Sequence, residues 1–326
     1  MAPTLVPSTA TSALRGLAVP RSPNAAMMTA AKQTISQAAP RVLRAAGPAI
    51  VFRRASLELT SDAQKITVGV FCGYFLAIVI LWYFPVRFVR AILKPFKLQA
   101  VAFHELGHAV ACKLTCGRVH HITLDINEGG ATQMSGGLGI VTYPAGYLGS
   151  SLVGSLMIFC GFDIVASKVA SLVIGVLFLL LLWWGVVKAM NVPLKDGEKR
   201  WIAPLIILLN TGLLVACWFI ADSEALRYYV LFVGTLTATY SVWDIFDDCI
   251  RRDVEGSDSH QMAKNARESG FCMCFCVSNG RVLGIIWWFI SLGLIVAAII
   301  CGILAFPESE ATQRQNSDDF IDATSR

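Results

Sequence analysis

Seven stretches of mostly apolar residues run through the chain, at 66–84, 98–116, 143–162, 168–187, 201–221, 228–247 and 282–306. Each is close to the ~20 residues an α-helix needs to cross a hydrocarbon core. A soluble domain is about 45–50% apolar and about 25% charged. This chain of 326 residues is 55% hydrophobic and 15% charged, with a mean hydropathy of +0.61. The pattern predicts an all-α polytopic membrane protein of about six or seven transmembrane helices. Its net charge of +5 is too small and too scattered for nucleic-acid binding.

The second stretch does not read as a plain span. Residues 98–117, LQAVAFHELGHAVACKLTCG, carry His104, Glu105 and His108 inside an apolar run. Unpaired polar groups there cost several kcal/mol each (on the order of 2–7), so ionisable residues in such a setting are functional candidates. HELGH fits H-E-x-x-H. On a helix the two histidines, at i and i+4, project from one face, so both imidazoles can meet one Zn²⁺. Glu105 stands between them as candidate base, and the metal supplies the nucleophile by lowering the pKa of water towards about 7.

A zinc site needs a third protein ligand. The five histidines are His104, His108, His120, His121 and His260, too few for the multi-histidine di-iron membrane enzymes. His120 and His121 read as interfacial residues, which leaves a carboxylate as the third ligand. Asp244 lies deepest in TATYSVWDIFDDCIRR, ahead of Asp247 and Asp248, which face Arg251 and Arg252. Asp196, in NVPLKDGEKRW, is the competitor, set among charged neighbours that read as a solvated loop.

The intervening segments have other textures. Residues 120–142, HHITLDINEGGATQMSGGLGIVT, alternate in short runs broken by glycine pairs, which predicts a short β-element after the HExxH helix. Residues 1–57 hold seven Lys or Arg and no acid. That composition suits a mitochondrial or plastid transit peptide and equally a disordered basic cytosolic tail. Residues 307–326 are polar and acidic and are expected to be disordered. FCMCFC, with Cys272, Cys274 and Cys276, is open to S-palmitoylation and equally to no role at all, and its one-residue spacing is a poor fit to the C-x₂-C pairs of structural zinc.

HELGH, followed by DINEGGATQM at 125–134 and YPAGYLGSS at 143–151, resembles the M50B-like membrane metallopeptidases, relatives of the site-2 protease clan. YSVWDIFDD and SDSHQMAK (257–264) are similar to that family's later segments, so the resemblance spans about 66–306. It implies an M50B-like peptidase domain with His104 and His108 as zinc ligands and Glu105 as catalytic base. It supports Asp244 over Asp196 as third ligand, and the clan's Asn-Pro-Asp-Gly motif is not intact here. It also implies a membrane-protein substrate, cleaved in or near its transmembrane segment and presented by the 120–142 element. The alternative is a membrane scaffold or trafficking adaptor that keeps the fold without proteolysis. The intact Glu105 argues against that alternative.

Overall fold

The computed structural model describes residues 58–86, 88, 91–125, 129–191, 201–268 and 279–325. The basic tail at 1–57, Asp196 and the FCMCFC cysteines lie outside the described residues. All seven apolar stretches are helical. In chain order the helices are α1 (Asp62–Tyr83), α2 (Lys94–Leu114), α3 (Pro144–Cys160), α4 (Ile164–Leu182), α5 (Ile202–Phe219) and α6 (Glu224–Asp244). They continue with α7 (Asp258–Glu268), α8 (Gly280–Ala305) and α9 (Glu310–Ser325). Two strands, β1 (Arg118–Asp125) and β2 (Gly129–Ser135), follow α2.

Five helical segments are long and apolar enough to cross a membrane: Asp62–Tyr83, Ile164–Val187, Ile202–Phe219, Ala221–Arg251 and Gly280–Ala305. They make this a multi-pass membrane protein. The other two apolar stretches form α2 and α3. The first is diluted by Lys94, Lys97, Glu105 and Lys113, and the second is only 17 residues long. The first of these less span-like helices carries His104, Glu105 and His108.

The helix ends follow local chemistry. Ser61 and Gln64 form a capping box at the start of α1, and Asp163 caps α4 by accepting from the Ala166 N–H. Asn279 caps α8 by accepting from the N–H groups of Arg281 and Val282. α2 stops at Thr115–Cys116–Gly117, where Cys116 has φ 63° and the Gly117 N–H donates to the Cys112 carbonyl at 2.8 Å. That tight turn brings β1 and β2 back against α2.

The strands pair antiparallel, with Ile122 opposite Thr132 and Leu124 opposite Gly130. Ile122 and Leu124 are buried, so this face of the hairpin turns inward. The hairpin and a one-turn helix at Gly139–Thr142 account for the β-element expected over 120–142.

α3 and α6 cross almost backbone to backbone. A Cβ on Gly154 would sit 2.6 Å from the Ala238 nitrogen, and one on Gly234 would sit 2.8 Å from the Gly154 carbonyl oxygen. Small residues at such a crossing let two helices gain close van der Waals contact where lipid offers no hydrophobic drive. The crossing draws the N-terminal end of α3 and the C-terminal end of α6 together with α2.

At the opposite end of α6, the acidic tail is not disordered. It folds as α9 and packs on the bundle. Gln313 is fully buried there, bonding both the Arg227 guanidinium (2.8 Å) and the Phe162 carbonyl (3.1 Å). Ser317 Oγ meets Lys168 Nζ at 2.6 Å, and both side chains are buried. Composition predicted disorder because the helix is polar; its burial depends on Lys168 and Arg227, more than 80 residues away in the chain.

Candidate metal centre

His104 and His108 leave the same face of α2, and their Nε2 atoms lie 3.1 Å apart. Asp258 Oδ2 is 3.1 Å from each, which closes a nearly equilateral triangle of donors. Ligands around a tetrahedral zinc at 2.0–2.1 Å are separated by ~3.3 Å, so the triangle has the dimensions of three such ligands. Among the described residues this is the group of His, Cys, Asp and Glu side chains whose ligand atoms come together within 4.8 Å.

The surroundings suit a metal. His108 Nδ1 lies 2.8 Å from the Thr142 carbonyl, which can only accept. Nδ1 therefore carries the proton, and Nε2 keeps its lone pair for a ligand. Tyr147 packs edge-on against the His104 ring, with centroids 4.5 Å apart. Gly146 leaves the space in front of both imidazoles clear: a Cβ there would lie 2.6 Å from His104 Nε2 and would collide with His108 Nε2.

Asp258 arrives from outside the spans. Beyond α6 the helix loosens into a π-turn over Ile245–Arg251, and the chain reverses at Asp253, whose φ of 53° is a conformation Asp tolerates. The Val254 N–H donates to the Asp248 carbonyl at 2.8 Å and the Ser257 N–H to the Val254 carbonyl at 2.9 Å. Asp253 is clamped by His260 at 3.2 Å and Arg281 at 2.9 Å, which fixes the turn that begins α7 at Asp258. Burial pushes the Asp258 carboxyl up, but the His108 and His104 imidazoles outweigh it and hold the group well below the usual carboxylate range.

The third side chain of the triangle is thus Asp258, not Asp244 as the sequence led us to expect. Asp244 ends α6 and lines the same cavity, but it is not in the three-residue group. Asp247 pairs with Arg251 at 2.6 Å and Arg252 at 2.8 Å, and Asp248 pairs with Arg252, as their spacing implied. His120 Nε2 contacts Ser135 Oγ at 3.0 Å within the hairpin, away from the triangle. Asp258 lies one chain reversal beyond α6, outside the apolar runs in which a third ligand was expected. Its sequence signal was its place in SDSHQMAK, a segment already similar to the family's.

The triangle faces a cavity of about 510 Å³. Glu105, Tyr143, Tyr147, Tyr240 and the β2 residues Gly130 and Thr132 contribute to its walls. Glu105 is buried in these walls, next in sequence to His104. A membrane-embedded bundle with two imidazoles, an aspartate and a glutamate converging on one cavity is the architecture of a polytopic metallopeptidase.

The chain belongs to the Peptidase M50B-like family, whose model matches residues 71–298. No curated protein and no solved structure matches it.

Proposed function

We propose that the protein is a zinc-dependent intramembrane endopeptidase that hydrolyses a peptide bond in or near the transmembrane segment of a membrane-protein substrate. The observation that carries this reading is the donor triangle of His104, His108 and Asp258 opening onto the same cavity as Glu105. The three side chains would hold Zn²⁺ through Nε2, Nε2 and Oδ2. When bound, zinc supplies a Lewis acid that polarises the scissile carbonyl and acidifies water.

The rest of the chemistry belongs to the chain. Glu105 takes a proton as water attacks the carbonyl carbon, and returns it to the amine as the C–N bond breaks. β2 pairs with β1 alone, so its second edge has no ladder partner among the described residues. Its residues Gly129 to Thr132 line the cavity. A substrate segment unwound from its helix can add to such an edge, with main-chain hydrogen bonds fixing the extended form that hydrolysis needs.

The test is metal content and cleavage on detergent-purified protein. We expect one zinc per chain in the wild type and in Glu105→Gln, with cleavage of a membrane-spanning substrate lost only in the variant. General acid–base catalysis contributes about 10²–10⁴-fold, so the variant's loss should be at least that large. A wild type without stoichiometric zinc, or a Glu105→Gln variant as active as wild type, would sink the proposal. A wild type that holds zinc but cleaves no substrate would favour a scaffold that keeps the fold.

A further inference from the structure

Glu105 has three side-chain torsions and borders a cavity of about 510 Å³, yet two residues of β2 hold it in one place. Thr132 Oγ1 lies 2.7 Å from Glu105 Oε2 and 2.9 Å from the Glu105 carbonyl oxygen. A hydroxyl has one proton, and the shorter contact to an ionised carboxylate is the stronger claim on it. Oε2 is then tied, and Oε1 is left free of that donor. Two residues away, on the same face of the strand, Gly130 supplies the room: a Cβ there would lie 2.6 Å from Glu105 Cγ and 2.8 Å from Oε1. Ile122 and Leu124, opposite Thr132 and Gly130, are buried, so the hairpin is anchored with this face turned towards α2.

We infer that β2 is a positioning element for the base, with the Thr132 hydroxyl orienting the Glu105 carboxylate and Gly130 leaving the space that carboxylate occupies. The inference rests on the reading of Glu105 as general base. Its consequence is a coupling: the strand whose free edge would receive the substrate is the strand that aims the base. A substrate seated on β2 stiffens the hairpin and so the carboxylate, whereas a loosened hairpin leaves the zinc ligands intact and the base misplaced. Thr132 and Gly130 are positioning residues, since neither touches the reacting atoms.

Three variants test this. Thr132→Val keeps the shape and removes the donor, Thr132→Ser keeps the donor, and Gly130→Ala pushes the flexible Glu105 side chain aside at little cost to folding. The probe is a quenched-fluorescent single-span peptide with a glycine–proline break at its centre, in detergent micelles. We expect Thr132→Val and Gly130→Ala to lose about 10²-fold in kcat, since a misplacement of about 1 Å can cost that much. KM and zinc content stay at wild-type values, and Thr132→Ser turns over within a few-fold of wild type.

A second readout needs no turnover. In metal-free protein, thermal unfolding of Thr132→Val, Glu105→Ala and the double variant forms a cycle. A double variant whose melting temperature falls by less than the sum of the singles supports the contact. Strict additivity overturns the inference, as does a Thr132→Val variant with wild-type kcat or one that loses zinc. A Glu105→Gln variant that still cleaves the probe would remove the base reading while leaving the cycle to report on the tie itself.

Discussion

The two ends of the bundle both bury charge, and they treat it in opposite ways. At the far end Lys168 and Arg227, each fully buried, are closed over by α9 and bonded to neutral oxygens of Ser317 and Gln313. At the near end His104, His108, Asp258, Glu105 and Asp244 converge on an open cavity. A sealed cation with hydrogen-bond partners is a structural arrangement, because its desolvation is offset by the groups that cover it. Carboxylates and imidazoles gathered round open space are arranged for an incoming ion and a reaction. The same helix, α6, has Arg227 near its first turn and Asp244 as its last residue. What separates the two ends is what the rest of the chain lays over them.

The comparison breaks first at the near end. Asp258→Ala should reduce zinc to background by metal analysis, while Asp244→Ala should keep it. The reverse result would return the third ligand to α6. Next comes the crossing that ties the two ends together. Gly154→Val drives a side chain into the backbone of Ala238 and should cost about 3 kcal/mol by chemical or thermal unfolding, disturbing metal binding as well.

The far end should respond differently. Gln313→Ala removes a partner from a buried guanidinium and should cost about 2 kcal/mol in stability. It should leave zinc content and turnover unchanged, and a loss of turnover without unfolding would show that the two ends communicate. The smallest effect is expected for Arg314→Ala, whose pairs with Glu224 and Glu310 are partly exposed at the surface. Its melting temperature should stay with the wild type.

Much of this was legible in the residues. Periodicity and apolar length located every helix in the bundle up to α8, apart from α7, and the glycine pairs located the hairpin. HELGH placed two imidazoles on one helical face and a carboxylate beside them, because an i, i+4 pair is a local property of any α-helix. Asp258 was not legible in that way. It is 150 residues from His108, and its approach depends on a π-turn, a left-handed Asp253 and a clamp made by His260 and Arg281. Thr132 was equally hidden: it read as one residue of a GGAT run until strand register put it against Glu105.

The sequence by itself determined a helical membrane protein with two imidazoles on one helical face and a candidate base beside them, since these rest on spacing within single segments. The tertiary structure alone decided which aspartate faces the histidines, which strand residue holds the base, and that the acidic tail closes over Lys168 and Arg227. Those are contacts between segments far apart in the chain, and they are set by where the bundle turns and packs, which residue spacing does not encode.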